Sequence, residues 1–428
     1  MSLSVNIRNI GCFKNLVDSE KLLANLSRAG VNTVFGSECE RCDIAILNTC
    51  GFTGDAESDS EKAIRELVEW KRSGRCGQIW IMGCLGEKKG QTLKNSIPGI
   101  DRVYGNFNWK NILSDLGNEF CESYRTVTTP AHYAYLKISE GCDMPCSYCL
   151  KPRLNGPQVS VSMDRLIDEA NMLAESGVKE LQIVAQNLTT YGTDLYGKKK
   201  IADLIEALSA VKGIEWIRLH YGYPNGFPME LLDVMREHDN VCSYLDMAIQ
   251  HCSTKMLKLM RRGMTKESLT ELITNIRNAV PGIYLRTTVM TGHPGETEAD
   301  FNELYEFVKE MKFERMGVFP YSNQKGTYSD LHYDDNVPEA VKRERAIALM
   351  DLQKQIYTEL NASLVGQIEK AIVDSVNPDG TVFLRGEHST PMADPKIIVN
   401  DSADLMPGDF HNVKITRSLG KDMEGCIV

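Results

Sequence analysis

No stretch of the 428 residues approaches the ~18 apolar positions that a membrane-crossing helix needs, so no membrane partner is expected. A basic surplus is missing too: 48 Lys and Arg stand against 58 Asp and Glu, a formal net charge of -10. That balance disfavours a protein that grips nucleic acid, which would gather Lys and Arg against phosphate, and suits a basic protein partner better. Low-complexity tracts are absent, and 42% of the residues are hydrophobic, so the chain reads as globular throughout. Residues 1–8, with Asn6 and Arg8 among them, lack the basic-then-apolar layout of a signal peptide, and the protein is expected to be cytoplasmic. Cysteine is what the chain does not lack. Thirteen of them, without a secretory leader, point to metal or redox chemistry rather than a disulfide framework.

The length predicts two or three domains. Apolar runs at Val5 to Ile10, Ile44 to Leu47 and Ile79 to Met82 read as strands, and Asp18 to Leu26 and Glu57 to Trp70 have helical periodicity. Residues 1–124 therefore predict a small α/β domain with a parallel sheet. A linker near Thr128–Pro130 follows. Strands at Tyr133 to Ile138, Glu180 to Ala185, Trp216 to Tyr221, Tyr244 to Ile249, Tyr284 to Val289 and Met316 to Tyr321 alternate with helices, which predicts a partial or complete α/β barrel over 128–362. From 366 to 428, short β-type runs are broken by Asn377–Gly380 and Pro407–Asp409, the pattern of a small β-barrel. Those 63 residues hold six Lys or Arg and ten Asp or Glu, so this end is acidic.

Cys142, Cys146 and Cys149 form a C-x3-C-x2-C run directly after the first barrel strand. Three thiolates on one loop can hold three irons of a 4Fe-4S cluster and leave the fourth open to a small molecule. A structural zinc would be incomplete with three ligands. Cys12, Cys50 and Cys84 each follow a predicted strand, and parallel strands end on one edge, so ligands 38 and 34 residues apart can converge there. The alternative for these three is buried small hydrophobes.

The C-x3-C-x2-C run after the first barrel strand resembles the radical S-adenosylmethionine (SAM) superfamily. The stretches Gly11-Cys12-Phe13-Lys14-Asn15, Asn48-Thr49-Cys50-Gly51-Phe52 and Gly83-Cys84-Leu85 resemble the amino-terminal domain of the methylthiotransferases. Tyr133 through Cys142, Arg261-Arg262-Gly263, Leu285-Arg286-Thr287-Thr288 and Gly292-His293-Pro294-Gly295-Glu296 extend the likeness to the RimO-type branch of that family. The resemblance implies a radical SAM barrel and a terminal TRAM domain, which is OB-like. It also implies two 4Fe-4S clusters, on Cys142, Cys146 and Cys149 and on Cys12, Cys50 and Cys84. SAM would be both methyl source and radical source. One SAM would methylate a sulfide on the second cluster, and another would give a 5'-deoxyadenosyl radical that takes hydrogen from the β-carbon of an aspartate in a small-subunit ribosomal protein, the twelfth. A flavodoxin- or ferredoxin-like donor would supply electrons.

For SAM, the resemblance nominates Tyr148, Gln186, Arg218, Arg286, Gly292 and Glu296. Tyr148 fits an aromatic beside the adenine and fits ordinary packing equally. Gly292 and Glu296 suit a SAM-backing loop or a strand-to-helix turn capped through Thr297 and Asp300. Several positions depart from the family: Leu150 and Lys151 before Pro152, Pro157 and Gln158 after Gly156, Val161 after Ser160, Asn187, and Cys252. They leave a paralogue acting on another protein, or the sister enzyme that methylthiolates a transfer-RNA adenosine, as rival readings. A non-catalytic iron-sulfur carrier is a third. Cys39 and Cys42 form a C-x2-C pair that reads as incidental thiols rather than a redox or zinc pair, and His220, His251 and His293 read as structural histidines.

Overall fold

The computed structural model describes residues 3–37, 39–391, 393–400 and 405–428, so the first two residues lie outside it. The chain falls into two compact units. One comprises Met1–Thr129 with Glu140–Met144 and Leu150–Val159, and the other Pro130–Ser139 with Pro145–Cys149 and Ser160–Val428.

The first unit is built on a five-stranded parallel sheet in the order Asn32–Phe35, Ser4–Asn9, Cys42–Thr49, Cys76–Gly83, Arg102–Val103. Its central strands are apolar at consecutive positions because both faces are covered. Ile44, Ile46 and Trp80 pack with Leu22 and Leu26 on one face; Ala45, Leu47, Ile79 and Ile81 pack with Ile64 and Leu67 on the other. Each such Leu or Ile contributes about 1.5–3 kcal/mol by leaving water. The helix Phe13–Arg28 begins five residues before the predicted Asp18. Polar Lys14 and Asn15 hide that start in the sequence, yet both are buried. The helix Gly54–Arg72 is capped by Thr53 Oγ1, which accepts from the Ala56 amide at 3.3 Å, with acids in its first turn and bases in its last.

In the second unit six parallel strands lie side by side in chain order: Tyr133–Lys137, Glu180–Val184, Trp216–Gly222, Val241–Met247, Tyr284–Thr291 and Arg315–Pro320. The first and last do not pair, so the barrel is partial. The fourth strand runs about three residues earlier than predicted. Its downstream end gives way to Gln250, which is left-handed at φ 70° and bridges to Val289 of the fifth strand. The helix Glu339–Ser363 follows the sixth strand and leads to a closed five-stranded barrel, Ile368–Val376, Val382–Gly386, Ile397–Val399, Met423–Ile427 and Phe410–Ser418. That barrel packs on the amino ends of the core strands: Phe410 meets Trp216 edge-on at 4.8 Å, among Cys242, Tyr244, Tyr284 and Ile372. Among the described residues no helix is long and apolar enough to cross a membrane.

Candidate iron-sulfur sites

In the first unit the strands carrying the triad end level with one another, Asn9 beside Asn48 and Thr49 beside Gly83. Cys50 and Cys84 come immediately after those ends, and Cys12 three residues after Asn9. Two glycines permit the close approach. A Cβ on Gly51 would sit 2.9 Å from the Leu85 Cα, and one on Gly83, at φ 92°, would sit 2.3 Å from Asn48 Oδ1. Asn15, buried at the start of its helix, ties the loops together. Its Oδ1 accepts from the Cys12 thiol at 3.1 Å, and its Nδ2 donates to Asn48 Oδ1 at 2.9 Å and faces Cys84 Sγ at 4.0 Å. Asn106 Nδ2 donates to Cys84 Sγ at 3.5 Å and to the Leu154 carbonyl at 2.9 Å. Phe52, Leu150 and Leu154 cover Cys84. This burial pushes its thiol up to about 12, with Cys12 and Cys50 adding, and burial also raises Cys50, with Cys12 adding. Such thiols keep their protons near neutral pH unless a metal displaces them.

The second triad occupies the loop after the first core strand. Within the first unit, Cys142 N donates to the Gly156 carbonyl at 3.1 Å, and Gly141, at φ 77°, lies so close to the Pro157 carbonyl that a Cβ would overlap it. In the second unit Cys149 N donates to the Cys146 carbonyl at 3.2 Å, and Ser147 is anchored by bonds from its amide to Met260 and from the Ser329 amide to its carbonyl. His293 Nε2 lies 3.1 Å from Ser147 Oγ and 3.0 Å from Ser329 Oγ, and burial lowers its pKa to about 4. Arg262, only 3% exposed, donates from Nη1 to Cys146 Sγ at 3.3 Å and from Nη2 to the Ala248 carbonyl, with its guanidinium 4.1 Å from the centre of the Tyr223 ring.

Comparison with known proteins shows the family. Residues 136–308 match the Radical SAM superfamily, 4–105 the uncharacterized protein family UPF0004 and 365–428 the TRAM domain. A protein of Bacteroides thetaiotaomicron named ribosomal protein uS12 methylthiotransferase RimO is 49% identical over 96% of this chain and 95% of its own. Proteins of the same name from Porphyromonas gingivalis (47%, 99% of both) and Flavobacterium johnsoniae (42%, 98% and 97%) are similar along the same length. This chain belongs to the RimO methylthiotransferase family. Among solved structures, the radical SAM methyltransferase TsrM from Kitasatospora setae, with cobalamin and a [4Fe-4S] cluster bound, has a TM-score of 0.57 at 13% identity, covering 77% of each chain. The cobalamin-dependent radical SAM enzyme OxsB has a TM-score of 0.54 at 11% identity, covering 83% of this chain and 56% of its own. Both likenesses concern the fold alone. Radical SAM membership brings a 4Fe-4S cluster and SAM to this RimO-family chain.

Thiols are the donors that such a cluster takes. Among the described residues no three His, Cys, Asp or Glu side chains converge on a single ion, and a cubane that takes one thiolate per iron asks for no such convergence. Amide donors aimed at Cys84 suit a sulfur that has lost its proton.

Four of the residues nominated for SAM have other partners. Arg218 Nε donates to Glu180 Oε1 at 2.9 Å and its Nη1 to the Glu387 carbonyl, while Arg286 pairs with Asp394; Glu387 and Asp394 belong to the terminal barrel region. Glu296 Oε1 accepts from the Gly292 amide at 2.9 Å and from Arg345 at 2.7 Å, and its Oε2 lies 3.6 Å from His251 Nε2. Gly292 and Glu296 lie in a turn completed by the Thr297–Asp300 capping box. Gln186 is buried just past the second core strand, and Tyr148 is half-buried, edge-on to His293. Asn187 Oδ1 accepts from the Thr189 amide and hydroxyl, capping a short turn. Cys39, Cys42 and Cys76 are buried thiols; Cys42 and Cys76 are register partners at the opposite ends of the strands that lead to Cys50 and Cys84. Burial, with its two neighbours adding, pushes Cys42 up to about 12. Sequence reasoning missed Asn106 altogether and read Asn15 and Arg262 as family matches without a role.

Proposed function

We propose that this chain is a cytoplasmic methylthiotransferase that modifies the β-carbon of an aspartate in ribosomal protein uS12. One 4Fe-4S cluster would be held by Cys142, Cys146 and Cys149 and a second by Cys12, Cys50 and Cys84. When bound, the clusters supply the electron and the sulfur, and SAM supplies the methyl group and the hydrogen-abstracting radical. The observation that carries the two-cluster reading is Asn15, which touches both Cys12 and Cys84 at the carboxyl edge of the first sheet, the place where open α/β sheets build sites. Identity of 42–49% to uS12-directed relatives over nearly the whole length supports the substrate.

The chain's own residues would hold these groups and exclude water from them. Leu150, Leu154 and Phe52 keep the Cys84 environment apolar. The Ser147–His293–Ser329 chain fixes the loop between Cys146 and Cys149, with His293 Nδ1 donating to the Pro294 carbonyl and Nε2 left to accept. Tyr148 and Gln186 are the residues we assign to SAM. Arg218 and Arg286 sit near the amino ends of their strands, where the terminal barrel engages them, and Glu296 is held by the Gly292 amide and Arg345. A low-potential flavodoxin- or ferredoxin-like protein would deliver the electrons.

Separating the triads tests this division of labour. Replacing Cys142, Cys146 and Cys149 by Ala is expected to abolish 5'-deoxyadenosine formation. Replacing Cys12, Cys50 and Cys84 is expected to leave reductive SAM cleavage measurable while the methylthio product disappears. Equal loss of cleavage in both folded variants would refute the division.

A further inference from the structure

Arg262 is a buried cation with no carboxylate to answer it. Its two terminal nitrogens bond to Cys146 Sγ and the Ala248 carbonyl, its Nε has no partner, and among the described residues no Asp or Glu lies within ion-pair distance. By contrast, buried Arg218 and Arg385 share Glu180, and Arg345 meets Glu296. A guanidinium removed from water without a counter-charge is costly, and the cost is recovered only when an anion stands beside it. The group beside it is the sulfur of Cys146.

The backbone is shaped to keep it there. Arg262 stands between Arg261, left-handed at φ 57°, and Gly263, at φ 69°, where a Cβ would come within 2.6 Å of Asn225 Nδ2. The Arg262 amide donates to the Leu257 carbonyl at 2.8 Å. Beneath the guanidinium lies the face of Tyr223, whose hydroxyl is 3.8 Å from the same Cys146 sulfur. An aromatic face strengthens the hold on the cation without neutralising it.

We propose that Arg262 is a positioning and charge-setting residue for the cluster on Cys142, Cys146 and Cys149: it fixes the Cys146 sulfur beside a buried cation and favours uptake of the electron needed to cleave SAM. The proposal rests on the cluster assignment made above. In that step the external donor is oxidised by one electron, and the thiolate-held cluster gains it and becomes more negative by one charge. No bond to Arg262 forms or breaks, and it gives up no proton. A fixed cation beside a ligand sulfur stabilises the reduced state more than the oxidised one and so raises the potential.

The test uses full-length protein with Cys12, Cys50 and Cys84 replaced by Ala, so that a single cluster remains, and compares Arg262, R262K and R262Q. Iron is quantified, and the electron paramagnetic resonance signal of the reduced cluster is followed against applied potential with dithionite as reductant. R262Q is expected to load iron like the parent while its reduced-to-oxidised ratio at fixed potential falls about tenfold, a midpoint about 59 mV more negative for one electron. R262K is expected to stay near the parent. An unchanged midpoint in R262Q, or a shift in R262K as large as that in R262Q, would overturn the proposal. If R262Q takes up no iron, R262K decides: full iron at the parental midpoint supports the proposal, and lost iron or a displaced midpoint overturns it. Failure of the underlying cluster assignment looks different, because the parent itself would then hold no iron and give no signal.

Discussion

Arg385 and Glu180 form a doubly hydrogen-bonded ion pair, Nη1 to Oε1 at 3.0 Å and Nη2 to Oε2 at 2.5 Å, with side chains 1% and 0% exposed. Glu180 opens the second core strand and also binds Arg218, while Arg385 lies on the terminal barrel and also binds Asp374, which meets His132 at 3.0 Å. The barrel is thus held to the core by buried charge as well as by the Trp216–Phe410 contact. Removing one partner strands a buried charge, so Glu180→Gln is expected to cost about 3–5 kcal/mol. Denaturant unfolding followed by circular dichroism checks this, and an unchanged midpoint contradicts it. Truncation before Gly366 would take Arg385 from Glu180, the Glu387 carbonyl from Arg218 and Asp394 from Arg286. It would probe folding rather than docking of a substrate.

Acid stability follows from two buried histidines. Burial lowers His220 to about 3 and His293 to about 4. In the unfolded chain each titrates near 6.5, so below that pH the unfolded state takes up protons that the folded state refuses. Stability is therefore flat above about pH 6.5 and falls as pH drops, with a slope approaching ~2.7 kcal/mol per pH unit for the pair down to about pH 4. Further down, Glu180 and Asp394, held below their usual values by facing arginines against the effect of burial, and Asp374, held down by His132 and Arg385 against the same effect, lose their contribution as they protonate. Unfolding midpoints at a series of pH values test this; His293→Gln is expected to lessen the slope by about half.

Iron content separates the triads. Anaerobically reconstituted protein is expected to hold ~8 irons per chain, and replacement of either triad by Ala ~4. Replacement of Cys39, Cys42 and Cys76 by Ser is expected to leave the value unchanged. A parent value of ~4 that survives loss of Cys12, Cys50 and Cys84 would remove the second cluster from the account.

Asn15 and Asn106 are expected to set how firmly the amino-terminal cluster is held. Asn15→Ala removes the bridge between Cys12 and Cys84, and Asn106→Ala removes the amide donor 3.5 Å from Cys84. Loss of such supporting groups typically costs 10–100-fold in metal affinity, so iron is expected to leave these variants faster under a chelator, about that much. Retention equal to the parent would leave both residues without the supporting role.

The parts legible in the sequence were those that periodicity and spacing encode. Runs such as Ile44–Leu47 are apolar at every position because both faces of the strand are covered, and a cysteine after each run marks the sheet edge. The end of a strand to which a side chain belongs is encoded less directly. Arg218 and Arg286 are each the third residue of their strands, near the amino ends, where the terminal barrel engages them. Composition likewise does not separate surface from interior. Of the ten acids in the last 63 residues, Asp374 and Asp394 are turned inward on Arg385 and Arg286, so the count overstates the acidic surface offered to a basic partner. Asn106 and Arg262 act through contacts with residues 22 and 116 positions away, a separation that local patterns cannot carry.

The central claim is transfer of a methylthio group to protein, and mass spectrometry of uS12 tests it most directly. Recombinant uS12 is incubated with the reconstituted chain, SAM and a low-potential reductant, with a transfer-RNA pool in parallel. The account predicts one SCH3 in place of one hydrogen on a single aspartate of uS12, with no methylthioadenosine in the RNA. Methylthiolated RNA beside unmodified uS12, or no product from a chain that carries both clusters and cleaves SAM, would contradict it.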